Sequence, residues 1–330
     1  MLPVLAVPAG AAVHTLNPGD SILQNITGAS GGDTIILNPG IYDQYGISIS
    51  KNITIMANIS AGGSAADTAI DARNDGGIFT VGPGLSFAID NLTIMNGTAT
   101  TGGAINATRA EITVTSSVFR NCSASSAGGA IASTGGSTLT VDRSVFSGCQ
   151  IRNYVQEAYG GVISSVNDTA IAICSSSFNE TFAIRGGAIY ADNVSVTVDS
   201  SDFSPPARTG ITGGGIYCRS GNLAITGSVF HDIATITAPA VYDAGSDDNT
   251  DYPLRITSSF FENSSGFEGA GPVTSNVTTT ITSSHFSHLV ASMGGAIYVC
   301  MHPLNVTSST FHDCGAARYV VPSFCTPRLE

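Results

Sequence analysis

Residues 102–121 read GGAINATRAEITVTSSVFRN, and the order of features in this stretch returns along most of the chain. A glycine pair comes first, aliphatic residues two apart follow, and a Ser-x-Phe triplet closes the unit. Alternation with a period of two predicts a β-strand that turns one face inward. The apolar runs are short and bounded by Gly and Ser, which argues against helices.

The phenylalanine of this unit recurs eight times at intervals of 25 to 32 residues, and a serine stands two residues before each one. The variation in length falls between each phenylalanine and the next glycine pair. Such a period is typical of a solenoid, in which repeats stack and insertions map to one corner. The phenylalanines predicted to form an inward ladder are Phe119, Phe146, Phe178, Phe203, Phe230, Phe261, Phe286 and Phe311.

The repeats predict an all-β fold, a right-handed single-stranded parallel β-helix whose rungs stack about 4.8 Å apart. Clear repeats span residues 87–314, within a single solenoid domain over residues 14–330 that ends in a C-terminal cap over residues 315–330. The apolar residues 1–13 have two interpretations. They are the remnant of a secretory signal, with Ala9-Gly10-Ala11 as a cleavage motif, or they form a first strand.

Composition narrows the classes of function. Only 11% of the residues are charged, Lys51 is the single lysine, and the formal net charge is −12. A nucleic-acid partner requires a basic patch, so this class is excluded. No apolar run approaches the roughly 18 residues of a membrane span. We expect an extracellular protein of the cell surface or envelope, without a cofactor.

Seven cysteines leave several pairings open. Cys122 and Cys149 occupy equivalent positions in adjacent rungs, within the roughly 4.4–6.8 Å between Cα atoms that a disulfide needs. Three more cysteines lie near the C-terminus, where a pair among them would close the last rung. The alternative is that several are small buried hydrophobic residues. The disulfide candidates are Cys122, Cys149, Cys300, Cys314 and Cys325.

Thirteen Asn-x-Ser/Thr sequons offer glycosylation sites on a secreted chain. A repeat rich in Ser, Thr and Asn also generates this pattern by chance. The candidate glycosylation sites are Asn25, Asn52, Asn91, Asn106, Asn167, Asn193, Asn276 and Asn305.

One acidic segment is the best candidate for chemistry outside the repeat. Asp243, Asp247, Asp248 and Asp251 lie close to Arg255, in the corner that carries the insertions. A solvated loop, a calcium site and a catalytic carboxylate cluster are the three interpretations. The accompanying motifs of polygalacturonases are missing, so we assign no catalytic residue. No CxxC motif and no close spacing of Cys and His indicates a metal, so we assign no metal site.

The repeat resembles known surface proteins. Residues 102–105 with Phe119-Arg120-Asn121 are similar to the repeats of chlamydial polymorphic outer-membrane protein passengers. The opening residues 32–42, GDTIILNPGIY, resemble the first coils of large surface, sheath and adhesin-like proteins of methanogenic archaea. The resemblance implies a parallel β-helix displayed at the cell surface.

From these features we expect a structural protein rather than an enzyme: a self-assembling, disulfide-containing glycoprotein subunit of a sheath or S-layer. Its expected partners are further copies of itself, through the open ends of the solenoid, and cell-surface glycans. Two alternatives stay open. One is a polysaccharide-active β-helix enzyme, a lyase or a glycosidase, and the other is a glycan-binding adhesin.

Overall fold

The computed structural model describes residues 10–152, 158–204, 212–235, 240–246 and 250–316. These residues form a right-handed parallel β-helix, which confirms the predicted fold class. Each full rung contributes one strand to each of three long sheets, A, B and C, and every strand pair is parallel. In the described part of the chain, no helix is long and apolar enough to cross a membrane.

Sheet A has twelve strands and turns pairs of aliphatic residues inward. Ile112 and Val114, for example, are buried while Glu111 is exposed. Its strands are β1 (Val13–Leu16), β2 (Thr34–Leu37), β5 (Ile53–Ala57), β8 (Ser86–Asp90), β12 (Glu111–Thr115), β16 (Thr138–Asp142), β20 (Ala170–Cys174), β23 (Ser195–Asp199), β26 (Leu223–Thr226), β29 (Leu254–Thr257), β33 (Thr279–Thr282) and β37 (Leu304–Thr307).

Sheet B has eleven short strands and carries the aromatic ladder. Neighbouring phenylalanine rings stack with centroids 4.6–5.1 Å apart and ring planes within 21° of parallel. All eight rings therefore form one column. The strands are β3 (Gly40–Asp43), β6 (Thr68–Asp71), β9 (Thr93–Met95), β13 (Val118–Arg120), β17 (Val145–Ser147), β21 (Ser177–Asn179), β24 (Asp202–Ser204), β27 (Val229–His231), β30 (Phe260–Glu262), β34 (His285–Ser287) and β38 (Thr310–His312).

Sheet C has ten strands, which follow the glycine corners. Ile189 and Ala191 point inward, so Tyr190 and Asp192 between and after them point outward. The strands are β4 (Ile47–Ile49), β7 (Phe79–Val81), β11 (Ile105–Thr108), β15 (Ile131–Thr134), β19 (Ile163–Val166), β22 (Ile189–Asp192), β25 (Ile216–Arg219), β28 (Val241–Asp243), β32 (Pro272–Ser275) and β36 (Tyr298–Cys300).

Two three-stranded sheets lie at the corner between sheets B and C, where the insertions occur. Their strands are β10 (Thr98–Thr101), β14 (Ser123–Ala127) and β18 (Gln150–Ile151) in one, and β31 (Ser265–Gly266), β35 (Val290–Ala291) and β39 (Gly315–Ala316) in the other.

The repeated serines form a hydrogen-bonded ladder beside the phenylalanine column. The hydroxyl of Ser201 accepts the backbone N–H of Ser176 at 3.1 Å and donates to the carbonyl of Asp199 at 2.8 Å. The same pair of contacts recurs from Ser144 to Ser284. Each hydroxyl thus joins two rungs and satisfies a buried donor, which explains why serine recurs in register.

The glycine pairs are required by the backbone at the corner before sheet C. Gly186 has a φ of 64°, and a Cβ there would meet the carbonyl oxygen of Ile189 at 2.1 Å. A Cβ on Gly187 would meet the carbonyl oxygen of Gly214 in the next rung at 2.2 Å. Any side chain would therefore separate adjacent rungs.

The two ends of the solenoid differ. At the N-terminal end, helix α1 (Ile22–Gly28) packs against β2 and β4 and buries Ile22 and Ile26 completely. A short 3-10 helix, Ile59–Ala61, lies two rungs later on the surface. At the C-terminal end, Phe311 is 49% exposed in the last described rung. Self-assembly through open ends stays a prediction, and the helix covers one of the two ends it would use.

The predictions for the termini fall largely outside the described residues. Residues 1–9 of the apolar segment and residues 317–330 of the predicted cap are not described, and the strand β1 begins at Val13. Whether a signal remnant precedes the solenoid therefore stays a prediction.

Candidate functional site

The outward face of sheet C carries a column of tyrosines. Tyr190, Tyr217 and Tyr242 are direct register partners in consecutive rungs, and Tyr298 follows after Val273. They come at one repeat position, directly after the inward Ile or Val of β22, β25 and β28 and after Ile297 at β36. We call this surface, built on Tyr190, Tyr217, Tyr242 and Tyr298, the tyrosine face.

The tyrosine rings stack along the solenoid axis. The ring centroids of Tyr190 and Tyr217 lie 5.2 Å apart, and those of Tyr217 and Tyr242 lie 5.3 Å apart. Tyr159, in the corner two rungs before Tyr217, extends the stack onto Tyr190 with centroids 4.6 Å apart. Since the rings cover one another's faces, their edges and hydroxyl groups form the outer border of the column.

Four charged side chains surround this column, two of each sign. The guanidinium of Arg185 lies 5.7 Å from the ring centroid of Tyr159 and 5.8 Å from that of Tyr217. Asp192 accepts a hydrogen bond from the hydroxyl of Tyr190 at 3.3 Å. Arg219 occupies the outward position next to Asp192 in the following rung.

Glu268 completes the set at the C-terminal part of the face. Burial raises the pKa of its carboxyl above the ordinary value. After burial itself, the charge of Glu268 is among the causes that raise the pKa of Tyr242 and of Tyr298, which places the carboxyl near both phenols. Glu268 stands directly before Gly269, at the corner that leads into β32.

The phenols remain protonated over a wide pH range. Burial is the main cause that raises the pKa of Tyr242 to about 12 and the pKa of Tyr190 still further. Tyr190 and Tyr217 are buried, while Tyr242 and Tyr298 are half-buried. Neutral phenols in this setting are hydrogen-bond donors rather than bases.

Taken together, the tyrosine face combines phenol groups, two guanidinium groups and a carboxyl whose pKa is raised by burial. Guanidinium groups bind carboxylates through paired hydrogen bonds. A carboxyl with a raised pKa can donate a proton near neutral pH. The composition of this face therefore suits an anionic, hydroxyl-rich ligand.

The described residues of the acidic segment singled out from the sequence have different environments, although the charge of Asp251 contributes to the raised pKa of Asp243. Asp243 points into the core and is completely buried, whereas Arg255 lies exposed on the outer side of sheet A. Asp251 is exposed and accepts the backbone N–H of Thr278 at 2.9 Å. Asp247 and Asp248 lie outside the described residues.

Asp243 has an unusual environment for a carboxylate. One oxygen accepts the backbone N–H of Gly245 at 3.2 Å, and the other has no hydrogen-bond partner. Burial raises the pKa of Asp243 to about 8. Its inward neighbours in the adjacent rungs are Cys218 and Thr274, so the carboxyl lies among small side chains inside the solenoid.

The cysteines are mostly free thiols. Cys122 and Cys149 do not form the predicted disulfide, and Cys314 is also free. Stacked side chains in a parallel sheet point the same way, and each thiol lies against backbone carbonyls, as Cys122 does at 3.5 Å from Arg120. Cys300 is disulfide-bonded, and Cys325 lies outside the described residues.

Several sequon asparagines have a backbone role. Asn91, Asn167, Asn193 and Asn276 have φ between 54° and 57°, in the left-handed region that asparagine tolerates better than most residues. Asn121 and Asn263, two residues after Phe119 and Phe261, share this conformation, so a turn requirement accounts for asparagine at both positions. Of the glycosylation candidates, Asn52, Asn167, Asn193 and Asn305 are exposed, and glycosylation itself stays a prediction.

Comparison with solved structures shows the fold. The chain is similar to a pectin methylesterase crystallised with a hexasaccharide (11% identity, TM-score 0.38, 97% of this chain and 93% of that one). It is similar to an endo-xylogalacturonan hydrolase from Aspergillus tubingensis (13% identity, TM-score 0.39, 97% and 99%). It also matches a family 6 alginate lyase (11% identity, TM-score 0.42, 96% and 53%). No protein-family model and no curated protein sequence matches the chain.

These comparisons correct one prediction. The expectation that the chain is not an enzyme is contradicted, because the solved structures that share its fold are carbohydrate-active enzymes. At such low identities the likeness concerns the fold alone. The sequence argument searched for acidic residues close together in the chain, whereas the charged residues of the tyrosine face come from several rungs.

Proposed function

We propose that the chain is a polysaccharide-active enzyme that binds an acidic sugar chain along the tyrosine face and cleaves it, with Glu268 as proton donor. The observation that supports this proposal is the placement of Arg185, Asp192, Arg219 and Glu268 along the tyrosine face over three rungs. We place the protein outside the cell, in line with its low content of charged residues.

The shape of the face suits a polymer. Tyr190 and Tyr298 are four rungs apart, so the column is about 19 Å long at about 4.8 Å per rung. The half-buried Tyr242 and Tyr298 can donate hydrogen bonds to the hydroxyl and ring oxygens of sugar units, whereas the hydroxyl of Tyr190 already donates to Asp192. A linear chain laid along the solenoid axis would therefore contact several rungs at once.

The two guanidinium groups favour a sugar that carries carboxylates. The chain as a whole has a net charge of −12 and would repel a polyanion. Burial raises the pKa of Tyr217, and the charges of Arg185 and Arg219 both act to lower it. Both cations therefore contribute to the electrostatics at this point of the face. They would bind uronate carboxylates locally, where a planar guanidinium makes two hydrogen bonds to one carboxylate.

Glu268 is the group we assign to proton transfer. Cleavage of a glycosidic bond, by hydrolysis or by elimination, leaves an oxygen that must be protonated. Asp192 and Glu268 are three rungs apart, about 14 Å along the axis. Paired carboxylates of glycosidases are about 5–9.5 Å apart, so Asp192 and Glu268 do not form such a pair. In elimination, one group can take the proton from the carbon beside the uronate carboxylate and pass it to the leaving oxygen, and Glu268 would have to perform both transfers.

The experiment is a degradation assay on uronate polymers with the purified chain and with Glu268→Gln. We expect the wild-type chain to release shorter products and the variant to lose roughly 100-fold or more in rate while still binding the polymer. Elimination products absorb in the ultraviolet because they contain an unsaturated uronate, which separates a lyase from a glycosidase.

Glu262→Gln is the matched control, because Glu262 is a half-buried glutamate of sheet B. It should cleave at the wild-type rate. If the chain binds uronate polymers through Arg185 and Arg219 but releases no product, the enzyme proposal is wrong and the protein is a glycan-binding adhesin. Cleavage that is unchanged in Glu268→Gln would refute the role given to this carboxyl.

A further inference from the structure

A second group of polar side chains lies away from the tyrosine face, at the C-terminal end of sheet B. His288, His312 and Asp313 are all exposed there, and their potential ligand atoms all lie within 4.8 Å of one another. The residues come from two consecutive rungs. His288 follows β34, and His312 ends β38, directly before Asp313.

The distances between these atoms suit a single metal ion. Nε2 of His312 lies 3.1 Å from Oδ2 of Asp313, and Nε2 of His288 lies 3.6 Å from the same oxygen. The centroids of the two imidazole rings are 5.7 Å apart and the ring planes are at 88° to each other, with Nε2 of each ring near the shared carboxylate. Ligand atoms about 2.0–2.2 Å from a tetrahedral zinc ion lie about 3.3 Å from one another.

The backbone holds the three residues in place. His288 and Asp313 have φ of 52° and 50° at equivalent turns of successive rungs, and the N–H of His288 donates to the carbonyl of His312 at 3.0 Å. The 25 residues that separate His288 from Asp313 equal one repeat. This separation explains why a search for close Cys and His spacings predicted no metal site.

The chain contains an internal comparison. Residues 230–232, Phe-His-Asp, repeat the sequence of residues 311–313. His231 binds only carboxylates, with Asp232 at 2.7 Å and Asp202 at 3.4 Å, and no second histidine joins the described cluster around it. The feature that distinguishes the later copy is His288 in the preceding rung.

We propose that His288, His312 and Asp313 form a binding site for a divalent transition-metal ion of the zinc class. Two imidazoles and one carboxylate are ligands that zinc accepts, whereas calcium and magnesium require mostly oxygen. Three protein ligands leave a fourth position for water. The bound ion would tie the last two described rungs of sheet B together.

Isothermal titration of the tag-free, chelator-treated full chain with Zn²⁺ tests the site, and Co²⁺ provides an optical readout. We expect one equivalent of metal and a tetrahedral Co²⁺ absorption spectrum. His288→Ala and Asp313→Asn should each weaken Zn²⁺ binding by roughly tenfold or more. These side chains are exposed, so circular dichroism should show both variants folded.

His231→Ala is the matched control and should bind Zn²⁺ like the wild-type chain. Absence of saturable binding would overturn the proposal. So would binding that survives His288→Ala, or binding that is lost equally in His231→Ala. This test does not depend on cleavage at the tyrosine face, so each of the two proposals can be refuted without the other.

Discussion

Sheets B and C run along the same solenoid, yet they use their residues in opposite ways. On sheet B the inward position is phenylalanine in eight consecutive rungs, with the serine ladder beside it. On sheet C the second inward position changes from Ala107 through Ser133 and Cys218 to Asp243, and the outward side carries tyrosines and charges.

The difference indicates that the inward column of sheet B stabilises the solenoid, whereas sheet C has the residues that a functional site could use. A uniform column gains stacking and hydrogen bonds at every rung, so each rung supports the next. Sheet C has buried polar atoms without partners at Ser133 and Asp243, beside the phenylalanine column, whereas the one on sheet B, at Thr68, lies before that column begins. Such atoms cost stability. Four predictions test this contrast, in order of decreasing effect on the free energy of unfolding.

The largest effect is expected in the phenylalanine column. Phe178→Ala removes a completely buried ring that stacks on Phe146 and Phe203. We expect the free energy of unfolding to fall by about 3–5 kcal/mol, through lost burial and a cavity. Chemical denaturation measures this loss. Tyr217→Ala on sheet C should cost less stability but weaken polymer binding, and an equal loss of stability would remove the distinction between the sheets.

The next effect is the pH dependence set by Asp243. The pKa of Asp243 in the folded chain is about 8, above the ordinary 3.8. Ionisation of Asp243 therefore does not reduce the free energy of unfolding below pH 3.8, and it reduces this free energy progressively as the pH rises toward 8. Asp243→Asn should remove this fall and raise the free energy of unfolding at pH 8 by several kcal/mol. At pH 3.5 the variant and the wild-type chain should be equally stable, which thermal unfolding at the two pH values checks.

Substitutions of two serines should change the free energy of unfolding less, and the two effects should differ from each other. Ser201→Ala leaves the buried N–H of Ser176 without its acceptor, and we expect a loss of about 1–3 kcal/mol. Ser133→Ala removes a buried hydroxyl that has no partner, so stability should stay equal or rise. Equal destabilisation by both variants in urea denaturation would show that the ladder contacts contribute nothing specific.

The smallest effect concerns the phenols at high pH. Burial raises the pKa of Tyr242 to about 12 from 10.0, so the stability linked to this group is present below pH 10 and is lost as the pH rises through 12. Tyr242→Phe should unfold less readily between pH 10 and 12 and be nearly unchanged at pH 7. Alkaline titration followed by circular dichroism measures the shift, and Tyr252→Phe, outside the tyrosine face, is the control.

Much of the fold could be predicted, because the solenoid repeats one local rule. The serine two residues before each phenylalanine and the glycine pair mark contacts that every rung makes with the next. The tyrosine face could also have been recognised in the repeat alignment. Tyr190, Tyr217, Tyr242 and Tyr298 all occupy the position directly after the inward aliphatic residue. An outward aromatic residue at a recurrent position would have indicated a binding surface.

The sequence alone determined the period, the parallel rungs and the inward column, because a periodic pattern of burial has one way to stack. Only the tertiary structure decided which side chains from different rungs meet. Arg185 and Tyr217 are distant in sequence yet lie 5.8 Å apart, and His288 and Asp313 are one repeat apart yet share one surface point. The reason is physical: stacking brings residues one period apart to within about 5 Å, and the insertions make that period irregular.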